Sequence, residues 1–186
     1  MPTLPTAPNT LACLQAMQGI IVNECLVGGV SPFAALAAGD AARFGVGRAV
    51  LVGKPKDFKD GYLPQCNLWI PPGEDADQEQ ELVGYGSGAG VGGRVFGEFV
   101  AVVTAYVDLR TDWYAGEQQI LEIRDALWPA LLRHAQLGGT VAGVIEAEAF
   151  EGQGLGYELV AGMEYRTYEA RWWVRAQWSL SGGRII

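Results

Sequence analysis

Gly88, Gly90 and Gly93 space the run GYGSGAGVGGRVFGEF as G-x-G-x-x-G, a pattern in which a tight turn brings backbone N–H groups against a pyrophosphate. That chemistry needs a strand before the glycines and a helix after them, because the helix N-terminus supplies the N–H groups. The segment before is GEDADQEQELVGY, acidic and polar, and the segment after is RVFGEFVAVVTAYVDLR. In the latter, Val95, Gly97, Phe99, Ala101, Val103, Ala105, Val107 and Leu109 form an apolar face of period two, which predicts a long strand. The order is loop then strand, and no Lys-Ser or Lys-Thr follows the glycines, so neither a dinucleotide loop nor a P-loop is expected. The run reads as a glycine-rich loop at 84–93 that orders against another surface.

The other residue types that carry catalysis are sparse. His134 is the single histidine and stands near the end of a predicted helix, where a cation suits the helix dipole. Cys13, Cys25 and Cys66 are odd in number and make no C-x-x-C pair, which fits buried thiols in a reducing compartment. One histidine and three scattered cysteines give no zinc spacing. Ser31, Ser87, Ser179 and Ser181 sit in no G-x-S-x-G elbow, the turn that exposes a nucleophilic serine. Glu146 and Glu148 lie two apart on a predicted strand, so they share a face; paired carboxylates can do acid–base work, but a solvated strand face is the simpler account. No catalytic, cofactor-binding or metal-binding residue is expected.

Binding chemistry is better represented. The chain has 6 tryptophans, three of them in the run YRTYEARWWVRAQW. Tyr168, Ala170, Trp172, Val174, Ala176, Trp178 and Leu180 occupy one face of a predicted strand, and Glu169, Arg171, Arg175 and Gln177 the other. Trp173 is the exception, an indole on the polar side between Arg171 and Arg175, and a tryptophan beside arginines is typical of a protein interface. The interface candidates are therefore Trp173, Arg171 and Arg175, the loop with Gly86, Ser87, Gly88 and Gly90, and Trp113 with Tyr114 at the start of the main helix. An aromatic platform for a stacked ligand on the Trp173 side, or a ligand held by the 85–93 loop, is the alternative use of the same residues.

The elements that position these residues follow from periodicity. Residues 1–8 carry three prolines and form an extended arm; residues 9–186 form a single domain. Asn9 or Thr10 caps a first helix whose stripe is Leu11, Leu14, Met17 and Ile21, closed by Gly28 and Gly29. Ser31 and Pro32 are expected to start a short second helix over SPFAALAAGDAARFG. RAVLVG and QCNLWI are short strands, and the long strand spans 94–110. Thr111 or Asp112 caps the main helix, with Ile120, Ile123, Leu127 and Leu131 inward, Pro129 kinking or splitting it, and Leu137-Gly138-Gly139 ending it. TVAGVIEAEAF is a strand, EGQGLG a turn, and the last strand follows. From Leu155 to Tyr165 the apolar residues occupy odd positions, so a bulge or break is expected at Arg166–Thr167. The resulting class is α+β, a mainly antiparallel sheet with the N-terminal helix and the main helix packed on one face.

Composition limits the partners. The chain of 186 residues carries a net charge of −8, with only 18% charged residues and 26 glycines. Its cations are scattered, whereas a nucleic-acid grip needs them clustered; an acidic wall suits a conduit along which DNA slides. Low charge and high apolar content point to subunit contacts and an oligomer. MPTLPTAPNT has no Lys, Arg or apolar run and is not expected to be a signal peptide. No uninterrupted apolar stretch of about 18 residues predicts a membrane span.

The layout resembles the tail terminator, or tail completion, proteins of long non-contractile-tailed bacteriophages. The resemblance rests on the helix LACLQAMQGIIVNECL before short strands, CNLWIPPG before a polar excursion, and the strand VFGEFVAVVTAYVDLRTD running into the helix GEQQILEIRDALWPALLRHAQLGG. The closing strands TVAGVIEAEAF and YRTYEARWWVRAQW complete it, so that it covers most of residues 9–180. It implies a structural virion protein, assembled in the bacterial host cytoplasm, that forms a six-fold ring on the tail tube. Such a ring ends the polymerisation of the major tail tube protein and meets the head–tail connector, and DNA passes through its lumen without specific binding. It implies no catalysis, no cofactor and no membrane. A head–tail joining or head-completion neck protein is the alternative within the same neighbourhood.

Overall fold

The computed structural model describes residues 10–59, 61–71, 94–134, 136–137, 145–149 and 154–179, with the backbone alone at Thr10, 94–98, 145–149 and 175–179. Helix α1 spans Thr10–Glu24. Its buried side chains are Cys13, Leu14, Met17, Gln18, Ile20 and Ile21, the spacing of one helical face. Leu11 falls off the predicted stripe and is 54% exposed, because it lies in the first turn, before the buried face begins at Cys13. Gly28 and Gly29 do not end this helix. With φ of 58° and 83° they form a tight turn of the I′ kind between Val27 and Val30, whose backbones exchange bonds of 2.9 and 3.1 Å.

Ser31 and Pro32 do not start a helix either; α2 covers only Ala38–Phe44. The chain before it stays extended: Ala49 N–H donates to Ala34 O at 2.8 Å and Leu36 N–H to Gly47 O at 3.1 Å. That ladder buries Phe33 in the core, and the long-range pairing outweighs the local capping signal. Helix α2 is anchored from outside instead. The Tyr62 hydroxyl accepts from Ala37 N–H and donates to Asp40 Oδ2, both at 2.8 Å, and Lys59 pairs with the same carboxylate.

The strands are β1 (Val50–Val52), β2 (Gln65–Trp69), β3 (Arg94–Val107), β4 (Ile145–Ala149), β5 (Gly154–Val160) and β6 (Met163–Ser179). They form one sheet in the order β1-β2-β3-β6-β4, with β5 also on β6. Only β1 and β2 run parallel; the remaining pairs are antiparallel. The centre is the β3–β6 pair, in unbroken register from Arg94 opposite Ser179 to Val107 opposite Arg166. Along the far side of β6, β4 lies opposite 172–176 and β5 opposite 163–169, so the two run end to end on one edge.

Helix α3 (Trp113–Arg133) begins at Asp112, whose side chain accepts from Ala115 N–H at 3.0 Å, the N-cap bond the first turn requires. Ile120, Ile123, Leu127, Ala130 and Leu131 are buried, each large side chain contributing about 2 kcal/mol by leaving water. They pack with α1 against Ala101, Val103, Ala105 and Val107 of β3 and Tyr168, Ala170, Trp172 and Val174 of β6. Both helices thus cover one face of the sheet, as the periodicities predict. Pro129 does not split α3, which is one helix. The carbonyl deprived of its donor is that of Asp125, four residues earlier, and this residue is on the solvent side.

The opposite face is not purely polar. Tyr106, Val160 and Tyr165 are buried there under Phe58 and Leu63 of the β1–β2 connection, with Phe58 ring centroids 5.0 Å from Tyr106 and 4.5 Å from Tyr165. This second cover accounts for Tyr165, whereas Leu155, Tyr157 and Leu159 lie on the helix side and exposed, because the two-residue turn between Val160 and Met163 sets odd positions of β5 opposite even positions of β6. No bulge interrupts β6 at Arg166–Thr167, where the register is continuous. The chain breaks instead at Ala161 and Gly162, which have φ of 51° and 80° and turn β5 into β6.

Candidate assembly surfaces

The interface candidates whose side chains are described fall on two separate surfaces. Trp173 and Arg171 stand two apart on β6 and share the face away from the helices, since the intervening Trp172 is in the helix-side core. Trp173 is half-buried rather than open. Across the register it lies opposite Val100 of β3 and Glu148 of β4, and Arg175 lies between Glu98 and Glu146. Arg171 Nε is 3.3 Å from Glu169 Oε1, and Trp69 Nε1 donates to Thr104 Oγ1 at 3.1 Å on the same face. This face of the sheet carries the Trp69 and Trp173 indoles beside the Arg171–Glu169 ion pair. The strand placement of Glu146 and Glu148 agrees with the sequence, and their register puts them against the Trp173–Arg175 stretch.

Trp113 and Tyr114 form the second surface. They occupy the first turn of α3 and are 61% and 73% exposed. One turn on, Glu117 joins this helix to β5 and β6: the Tyr157 hydroxyl donates to Glu117 Oε1 at 3.0 Å, and Arg166 Nε lies 2.9 Å from the same oxygen. The Arg166 guanidinium also stacks over the Tyr157 ring at 4.5 Å. Hydrogen bonding to Glu117 raises the Tyr157 pKa from its ordinary value. The helix start is thereby held beside an edge strand whose Leu155, Tyr157 and Leu159 are all exposed. These three were not singled out from the sequence; the L-x-Y-x-L alternation was visible, but that β5 is an edge follows only from strand order. Gly86, Ser87, Gly88 and Gly90 lie outside the described residues, as does the arm at 1–8.

A cleft of about 280 Å³ opens on the face away from the helices, lined by Asp57, Phe58, Lys59, Asp108, Arg110 and Tyr165 among others. Three of its charged groups have partners: Lys59 pairs with Asp40, Arg110 Nε donates to Asp108 Oδ1 at 2.8 Å, and this bonding holds the Asp108 carboxyl below its ordinary pKa. The groups capable of catalysis are dispersed. Among the described residues no cluster of three His, Cys, Asp or Glu side chains is arranged to hold a metal ion. All three cysteines are buried and unpaired, and burial pushes the thiol pKa to about 11 at Cys13 and about 12 at Cys25, so neither is a thiolate at neutral pH. His134 follows the last turn of α3, with Nε2 3.8 Å from Glu24 Oε2 of α1, a surface position at a helix end. No helix among the described residues is long and apolar enough to cross a membrane.

No protein-family model matches this chain, and no curated protein matches it in sequence.

Proposed function

We propose that this protein is a structural virion component of the tail-terminator kind: a subunit of a six-fold ring that seats on the end of a phage tail tube, stops addition of tube protein and offers its other side to the head connector. The reading is carried by one observation, the passage from the 14-residue β3 through the Asp112 cap into the 21-residue α3, the layout on which the resemblance rests. Two further features support it. A ring needs a head-to-tail contact, which joins two different patches of each subunit, and the Trp173–Arg171 surface and the Trp113–Tyr114 surface are chemically unlike and lie on different sides of the sheet. A net charge of −8 suits a ring through which DNA moves without being held. On this reading the protein catalyses nothing and needs no cofactor.

Negative-stain electron microscopy of the purified chain, alone and mixed with tail tubes, tests the reading. Rings of six copies with a central opening are expected. Particles no larger than dimers under both conditions would overturn it.

A further inference from the structure

We infer that the outer edge of β5 pairs with the same edge of a second copy of this chain, antiparallel and centred on Tyr157. The argument begins at the β5–β6 turn. Val160 and Met163 face each other across only Ala161 and Gly162, so the Val160 carbonyl accepts the Met163 N–H and the two form a hydrogen-bonded pair. Antiparallel pairs alternate between bonded and non-bonded. Glu158 opposite Tyr165 and Gly156 opposite Thr167 are therefore bonded to β6. The N–H and C=O groups of Leu155, Tyr157 and Leu159 point the other way, to the edge that no described residue covers.

Natural edges are blunted by lysine, proline or a bulge at such positions. This one carries Leu, Tyr and Leu with exposed side chains. The opposite edge of the sheet is closed: β1 has three residues, and the Val50 carbonyl accepts from Gln18 Nε2 at 2.6 Å. Among the described residues, no strand pairs with the outer edge of β5.

The register of a self-pair follows from the residues. With Tyr157 opposite Tyr157 of the second copy, Leu155 stands opposite Leu159 and Leu159 opposite Leu155. All three outward residues are then used, six backbone bonds form, and the apolar side chains meet on one face. On the other face Glu158 stands opposite Gly156, and its carboxylate is already matched by Lys54 Nζ at 3.1 Å. A shift that centred the pair on Glu158 would set two glutamates directly opposite, which is repulsive, and a shift to Gly156 would leave Leu159 unpaired. Such a contact closes on itself after two copies. It goes beyond the ring reading and is separate from any head-to-tail ring contact.

Cysteine cross-linking of the full chain tests the register. Opposed residues of a bonded pair have Cα atoms about 5.5 Å apart, within disulfide range. Tyr157→Cys is expected to give a covalent dimer on mild oxidation. Leu159→Cys is expected to give none, since two copies of that position lie about 13 Å apart, but mixing it with Leu155→Cys should restore the link. Leu159→Pro deletes one outward N–H without touching the β5–β6 ladder, and should weaken the dimer about tenfold in sedimentation velocity. Unlinked Tyr157→Cys in a folded protein, or equal linking of all three variants, would overturn the inference. Rings without the Tyr157 link would leave the ring standing and remove this pairing; the link without rings would do the reverse.

Discussion

Trp128 of α3 lies against Trp172 of β6 with ring centroids 4.6 Å apart, so the main helix is tied to the central strand by two indoles, Trp172 in the core and Trp128 half-buried against it. Trp172 is fully buried, whereas its neighbour Trp173 is half-buried on the other face. Trp172→Ala is expected to cost about 3–5 kcal/mol in urea unfolding. Trp173→Ala should cost less than half of that and weaken assembly, read by the loss of rings in negative stain. An equal loss of stability in the two variants would remove Trp173 from the interface and make it a core residue.

Gly116 marks a close approach. A Cβ there would meet Leu109 Cδ2 at 2.6 Å and the Asp108 carbonyl at 3.0 Å. The leucine methyl can move, but the backbone oxygen is fixed where β3 hands over to α3. Gly116→Ala gains about 1 kcal/mol of helix propensity and loses about 1–3 kcal/mol to overpacking. A lowered urea midpoint is expected, with an unchanged slope. A raised midpoint would mean that the loop yields freely.

Stability should fall on the alkaline side. Burial raises the pKa of Cys13 from 9.0 to about 11 and of Cys25 from 9.0 to about 12. Burial and the bond to Glu158 Oε2 at 2.9 Å raise that of Tyr106 above its ordinary 10.0. Groups with raised folded values keep their proton longer in the folded chain. Their contribution is complete below the unfolded pKa and is lost as pH rises through the folded one. The free energy of unfolding from urea titrations should hold to about pH 9 and then drop by about 1.4 kcal/mol per pH unit for each thiol ionised only when unfolded, and the midpoint with it. Tyr106→Phe should flatten the part of the decline above pH 10. A midpoint constant to pH 11 would show that these groups titrate alike in both states.

What was legible in the sequence was the local pattern backed by burial. The odd face of β3 from Phe99 to Val107, the even face of β6 from Tyr168 to Val174, the stripe of α3 and the Asp112 cap stand as read, because each depends on one period or one short-range bond, whereas Leu109 falls beyond the end of β3. The failures share a different cause. Ser31 and Pro32 form a sound capping signal, yet Ala34 and Leu36 bond to Ala49 and Gly47, a pairing that no local window contains. The phase change after Tyr165 looked like a bulge because the sequence does not announce that Phe58 and Leu63 fold back over Tyr165, or that a two-residue turn sets odd positions of β5 opposite even positions of β6. The exposure of Trp113 and Tyr114 was legible from their place in a capped first turn. The edge character of β5 was not, since it depends on strand order, and the half-burial of Trp173 depends on neighbours from other strands.

The most direct test of the tail-terminator account is the length of tails made when this gene is disrupted in its parent phage, measured by electron microscopy of lysates. The account predicts overlong tail tubes lying free of filled heads, because only the loss of a length stop produces them. Tails of normal length detached from heads would contradict it and place the protein among the neck components.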